Sequence, residues 1–174
     1  QTSLSKQVDK DSPLFAYLSE SKSIHGAESQ EFVEISVFDN GPTLARQYLG
    51  RNPRTLKEEW ATTFYCLVKA VGKSQYENEG QGLFHVMRLL NSCRGFLRFR
   101  AGRLSLFRDF LHDPLECNLD SLDISHPTKD DVDRNSKLMS LRDWRTRSNK
   151  ISSHPKSIGA LFTLLIPINE LINE

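Results

Sequence analysis

Net charge is the first thing this sequence lacks: 23 Lys and Arg face 22 Asp and Glu, leaving a formal +1. A chain so balanced has no electrostatic reason to seek a polyanion, so nucleic acid is unsupported as a partner. Cysteine is scarce. Cys66, Cys93 and Cys117 form an odd set without C-x-x-C spacing, which argues against a dithiol redox pair. The five histidines never join them at zinc-ligand spacing, which argues against a structural zinc. Two of the cysteines fall within apolar helical patterns where a small buried thiol is ordinary, and a reducing, cytoplasmic compartment is the expectation. No apolar run approaches the roughly 18 to 20 residues of a membrane span, and no signal peptide is visible. The first residue is Gln1 rather than Met, so the chain reads as a fragment of a longer protein.

What is present suffices for a core. With 174 residues, 38% hydrophobic and 26% charged, the sequence fits one soluble globular domain over 1–174. Ser12-Pro13 ahead of Leu14, Phe15 and Leu18 predicts a capped, peripheral helix. From Phe32 to Phe38, Val33, Ile35 and Val37 share one face and Glu34 and Ser36 the other, the period of a half-buried strand. That strand stops at the turn Asp39-Asn40-Gly41-Pro42. Thr55-Leu56-Lys57-Glu58 has capping-box form, and Leu56, Trp60, Phe64 and Leu67 follow at helical spacing. The stretch from Gly72 to Gly82 has almost nothing to bury and reads as a loop. Leu83, Val86, Met87 and Leu90 then form a second helical stripe, closed by Gly95 as a C-cap.

After Gly95 the period changes to two. Phe96 to Arg100 and Leu104 to Arg108 read as antiparallel strands joined at Ala101-Gly102-Arg103. From His112 to Ser157 the chain is polar and reads as an insertion or disordered loop. Within it Arg142, Arg145, Arg147 and Lys150 surround Trp144, but Asp130, Asp131, Asp133 and Asp143 dilute the patch to a solvated loop. Ala160 to Pro167 is a final buried strand closed by proline. The order of elements predicts an α+β, two-layer sandwich: one mixed, mainly antiparallel sheet with helices on one face.

Three segments carry a chemical signal: Val37-Phe38-Asp39-Asn40-Gly41, Gly80-Gln81-Gly82-Leu83 and Gly159-Ala160-Leu161-Phe162-Thr163-Leu164. Together, and in that order over Phe32 to Ile168, they resemble the adenine box, the second glycine box and the closing strand of the GHKL superfamily, which includes gyrase B, histidine kinases, MutL and the ninety-kilodalton heat-shock chaperones. The nearest likeness is to poorly characterised bacterial ATP-binding proteins of that group. The resemblance implies a Bergerat-type ATP-binding fold, ATP or ADP as ligand, and an ATPase or histidine-kinase-like module acting through homodimerisation or an attached effector domain.

By that resemblance Asp39 accepts the exocyclic amine of adenine, where guanine would present a repelling carbonyl. Gly41 lets the backbone approach the base, and Thr163 supports Asp39 and a bridging water. Gly80 and Gly82, leading into Leu83 and Phe84, cradle phosphate at a helix start, with Lys73 and Ser74 reaching in from a lid. His85, one turn on, reads as a helix-surface histidine. Two departures stand against the pattern. Thr43 occupies the position of the adenine box's second glycine. No Asn precedes Asn40, so the helical Glu-x-x-x-Asn that holds Mg²⁺ and activates water is missing from this chain. As it stands the sequence is equipped for binding and incomplete for hydrolysis, and a nucleotide-responsive or degenerate interaction domain is the alternative reading.

Overall fold

A computed structural model of the chain describes residues 8–24, 30–69, 82–115 and 141–168. In chain order these form α1 (Pro13–Ile24), β1 (Phe32–Asp39), α2 (Leu44–Leu49), α3 (Leu56–Lys69), α4 (Gly82–Ser92), β2 (Phe96–Ala101), β3 (Leu104–Asp109), β4 (Arg142–Asp143) and β5 (Ala160–Pro167). The strands make one sheet in the order β1-β5-β2-β3-β4. The α+β class is as expected, and every pairing among the described strands is antiparallel, without the parallel component of a mixed sheet.

The last strand in sequence is thus interior. β5 pairs with β1 from Phe32↔Pro167 to Asp39↔Ala160, and with β2 from Phe96↔Leu165 to Ala101↔Ala160. Since side chains alternate faces along a strand, this register sorts the sheet into two surfaces. Leu97, Phe99, Leu104, Leu106, Leu164 and Ile166 lie on one, where Phe64 and Leu67 of α3 and Met87 and Leu90 of α4 bury against them as the main core. Phe96, Phe107 and Leu165 lie on the other, with Tyr17 and Leu18 of α1. Helix α1 is therefore not peripheral: Tyr17 is fully buried, its ring 5.2 Å from Phe96, and its hydroxyl donates to Arg94 O at 3.0 Å. The helices accordingly flank both faces, with α3 and α4 on one and α1 at one end of the other.

Local signals explain the element ends. Ser12 Oγ accepts from Phe15 N at 3.1 Å, with Pro13 in the first helical position, as expected of an N-cap. Thr55 Oγ1 accepts from Glu58 N at 3.0 Å, but Glu58 bonds back to Arg54 N and pairs with Arg51 rather than returning to Thr55. At the end of α4 the left-handed residue is Arg94 (φ 50), while Gly95 N closes onto Leu90 O at 2.7 Å. Gly95 is required for a different reason than capping. A Cβ there would fall 2.7 Å from Leu165 O, so the chain can pass β5 only without a side chain.

A histidine ties α1 to the sheet. His112, just after β3, meets Asp109 through Nδ1 and Glu20 of α1 through Nε2, each at 2.5 Å. Burial alone would lower its pKa, but the hydrogen bonds to Glu20 and Asp109 outweigh this and hold it above 6.5. The folded chain therefore binds this proton more tightly than the unfolded chain. The contribution to stability is complete below pH 6.5 and is lost as pH rises through the folded pKa. In urea titrations across that range the parent chain should lose stability with rising pH, and a His112→Gln variant should show a flatter profile.

Candidate functional site

Asp39 ends β1 opposite Ala160, at the open end of the sheet. Its Oδ1 accepts from Gly41 N at 2.8 Å, closing the Asp-Asn-Gly turn by a local side-chain bond. Its Oδ2 makes no hydrogen bond or ion pair among the described residues, and the carboxylate is exposed. Gly159, with φ +70, packs so tightly beneath that a Cβ would come within 1.7 Å of Asp39 O. This glycine fixes how closely β5 enters beside β1. Gly41 is looser, since a Cβ there would meet Asp39 Oδ1 at 3.0 Å. Thr43 caps α2, its Oγ1 accepting from Arg46 N at 3.4 Å.

Thr163 is not part of this corner. The register sets it opposite Ser36, three residues from Asp39 along β1 and hence on the other face of the sheet. Its hydroxyl lies 3.2 Å from Ser36 Oγ, so it does not support Asp39. The residue that β5 does bring to Asp39 is Ala160, which has no hydroxyl to offer. Gly82 opens α4, and Leu83 and Phe84 lie in its first turn. Lys73, Ser74 and Gly80 fall outside the described residues. His85 is exposed on α4, as expected.

Beside the Asp39 turn lies a cleft of about 360 Å³, lined by Gly41 and Thr43 of the motif together with residues the motif does not contain. Thr43 and Arg46, Glu59 of α3, Arg103 at the β2–β3 turn, Lys156 and Gly159 border it. Glu59 is only 4% exposed and grips the hairpin tip, accepting from Arg103 N at 3.0 Å and Arg103 Nε at 2.7 Å. That pairing neutralises Glu59. The side chains of Arg46 and Lys156 have no ion pair among the described residues and leave the rim positive. A carboxylate one position before Trp60, inside the apolar stripe of α3, was the sequence signal for a buried partner. Its partner is 44 residues away, and nothing local names it.

The polar stretch after β3 also contains a built cluster. Asp143 is fully buried. It accepts from Arg145 N at 3.0 Å, Thr146 N at 2.9 Å, Ser152 N at 2.9 Å and the Ser152 hydroxyl at 2.9 Å, and lies 3.2 Å from His154 Nε2. Burial would raise its pKa, but the bonds from Thr146, Ser152 and His154 prevail and hold it below the usual carboxylate range. Ser152, His154 and Asp143 are the residue types of an acyl-transfer triad, but Ser152 and Asp143 both meet the same imidazole nitrogen. A relay requires them on opposite nitrogens. The cluster is therefore a scaffold that folds residues 143–154 around one buried carboxylate.

Trp144 is likewise committed to packing. It stands edge-on to Phe107 at 5.9 Å, with the Arg98 guanidinium 4.2 Å over its ring, so its edge and one face are engaged within the fold. Arg142 pairs with Asp113 at 3.2 Å, and Arg145, Arg147 and Lys150 are exposed. Cys93 is buried, and burial pushes the Cys66 thiol up to about 11. Among the described residues no three His, Cys, Asp or Glu side chains converge as a metal site, and no helix is long and apolar enough to cross a membrane.

Removing the buried Asp143 carboxylate strands the N–H groups of Arg145, Thr146 and Ser152, so Asp143→Ala should cost about 3 kcal/mol in urea unfolding, and Ser152→Ala about 1 kcal/mol. No family model matches the chain, and no curated protein or solved structure is significantly similar to it.

Proposed function

We propose that the chain is an adenine-nucleotide-binding domain of GHKL type with a Bergerat-like sheet, holding ATP or ADP at the open end of the sheet. The observation that carries this reading is the pairing of an exposed, half-engaged Asp39 with the start of β5. Oδ1 is held by the turn and fixes the carboxylate, while Oδ2 is left to accept an exocyclic amine. Helix α4 enters β2 through the tight reversal at Cys93 to Gly95, so its Gly82 end is directed toward the same end of the sheet as Asp39 and Ala160. A helix start suits phosphate oxygens, and the positive rim of Arg46 and Lys156 lies at that same end. Gly41 and Thr43 shape the turn beside the base, and Thr163 drops out of the proposed contacts.

The proposal is one of binding. Hydrolysis in this superfamily uses a Mg²⁺-holding Asn and a general-base Glu, and no residue described here stands in for that pair. A second reading, an interaction domain that no longer binds nucleotide, is favoured by one observation: Ala160 faces Asp39 where the resemblance calls for a hydroxyl.

Calorimetric titration separates the two. ATP or ADP should bind the parent chain and GTP should not. Asp39→Asn keeps an oxygen for the Gly41 N–H but turns an amide donor toward the base, and should weaken ATP about tenfold or more, at least about 1.4 kcal/mol. Thr163→Ala should leave affinity unchanged. Absence of ATP binding to the folded parent chain, or equal affinity in Asp39→Asn, overturns the proposal.

A further inference from the structure

Among the described strands the two edges of the sheet are unequal. β4 spans only two residues, a blunt edge, whereas β1 spans eight with neither proline nor lysine. Edge strands are ordinarily protected by such residues. On β1 the alternating apolar set predicted to be half-buried is open instead: Val33 is 40% exposed, Ile35 41%, Val37 56%, and Phe38 on the opposite face 65%. These three residues share the face of Leu164 and Ile166, yet α3 and α4 do not extend over them.

We propose that β1 is a self-association edge, at which two copies of the chain join antiparallel about a two-fold axis through Ile35 and continue the sheet from one copy into the next. The sequence of the strand supplies the symmetry. Phe32-Val33-Glu34-Ile35-Ser36-Val37-Phe38 reads nearly the same in both directions. Centred on Ile35, the pairing sets Phe32 against Phe38 of the second copy, Val33 against Val37, Ile35 against itself, and Glu34 against Ser36. Every apolar residue meets an apolar one, and Glu34 avoids its own copy, whose like charge would oppose contact. A closed two-fold contact needs a self-complementary patch of this kind.

The backbone agrees with that register. Ile168 N donates to Glu31 O at 3.1 Å, and Phe32 sits opposite Pro167, which has no N–H. The N–H and C=O groups of Val33, Ile35 and Val37 therefore face β5, and those of Phe32, Glu34, Ser36 and Phe38 face away from it. No described strand lies on that outer side. In the dimer those four residues form the hydrogen-bonded pairs. Val33, Ile35 and Val37 fall at the close, non-hydrogen-bonded pairs, where apolar side chains make most contact. At each end Asp39 comes opposite Glu31, so salt should tighten the association by screening that repulsion.

The register makes a selective prediction. At the axis the two Ile35 Cα atoms lie about 4.5 Å apart in a non-hydrogen-bonded pair, within disulfide reach. Under mild oxidation Ile35→Cys should form a covalent dimer, while Val33→Cys and Val37→Cys alone should not, and the Val33→Cys/Val37→Cys double variant should. In sedimentation at micromolar concentration the parent chain should be dimeric, more so with added salt, and Ile35→Lys monomeric with an unchanged circular dichroism spectrum. A monomeric parent chain overturns the proposal, as does cross-linking of Ile35→Cys no faster than Val33→Cys. The cysteine series decides the matter even if the lysine variant does not fold, and none of these readouts depends on nucleotide binding.

Discussion

The structure depends on β5 entering between β1 and β2. Until that strand is in place, β1 has no partner among the described residues, and the β2–β3 hairpin has only the two-residue β4 beyond it. The pairing is long-range, since Ser36 meets Thr163 across 127 residues. Loop closure over such a separation is entropically costly and must be offset by what the strand buries. Leu164 and Ile166 feed the core beneath α3 and α4, while Leu165 joins the cluster under α1. One strand thus serves both hydrophobic layers. Gly159 and Gly95 mark where it passes so close to its neighbours that a side chain has no room.

That insertion also places the cleft. The turn of β1, the start of β5, the hairpin tip and the loop before α3 converge at one end of the sheet, where Glu59 pins Arg103 and the cleft opens. The same arrangement leaves β1 paired on one side, with no described strand on the other. The proposed nucleotide site and the proposed self-association edge therefore belong to a single strand, the first at its last residue and the second along its length. Ligand and partner would meet the same rigid element, which is a physical route by which one could influence the other.

Much of the secondary structure was legible because it is written in short periods. The alternation of β1, the hairpin around Gly102, the N-caps at Ser12 and Thr55 and the helical stripe through Leu83, Val86, Met87 and Leu90 all stand within a few residues of where the chain puts them. Helix α2 escaped notice because six residues are too few to show a period. The polar stretch after β3 read as loop because its organising principle is one buried carboxylate rather than an apolar stripe, and Asp143 looks in sequence like any other acid of that region. Of the residues proposed for the site, Thr163 lies opposite Ser36 rather than beside Asp39, a placement set by register, which no window of sequence shows.

The sequence by itself determined which segments alternate, which amphipathic stripes need covering and where the chain must turn, since these follow from local sterics and from the spacing of apolar side chains. Tertiary structure alone decided that the last strand lies beside the first, that α1 packs across the second face, that Glu59 reaches Arg103, and that the apolar side of β1 stays open. Those outcomes hang on pairings between distant residues, where burial summed over the whole chain outweighs any local preference and no window of sequence contains both partners.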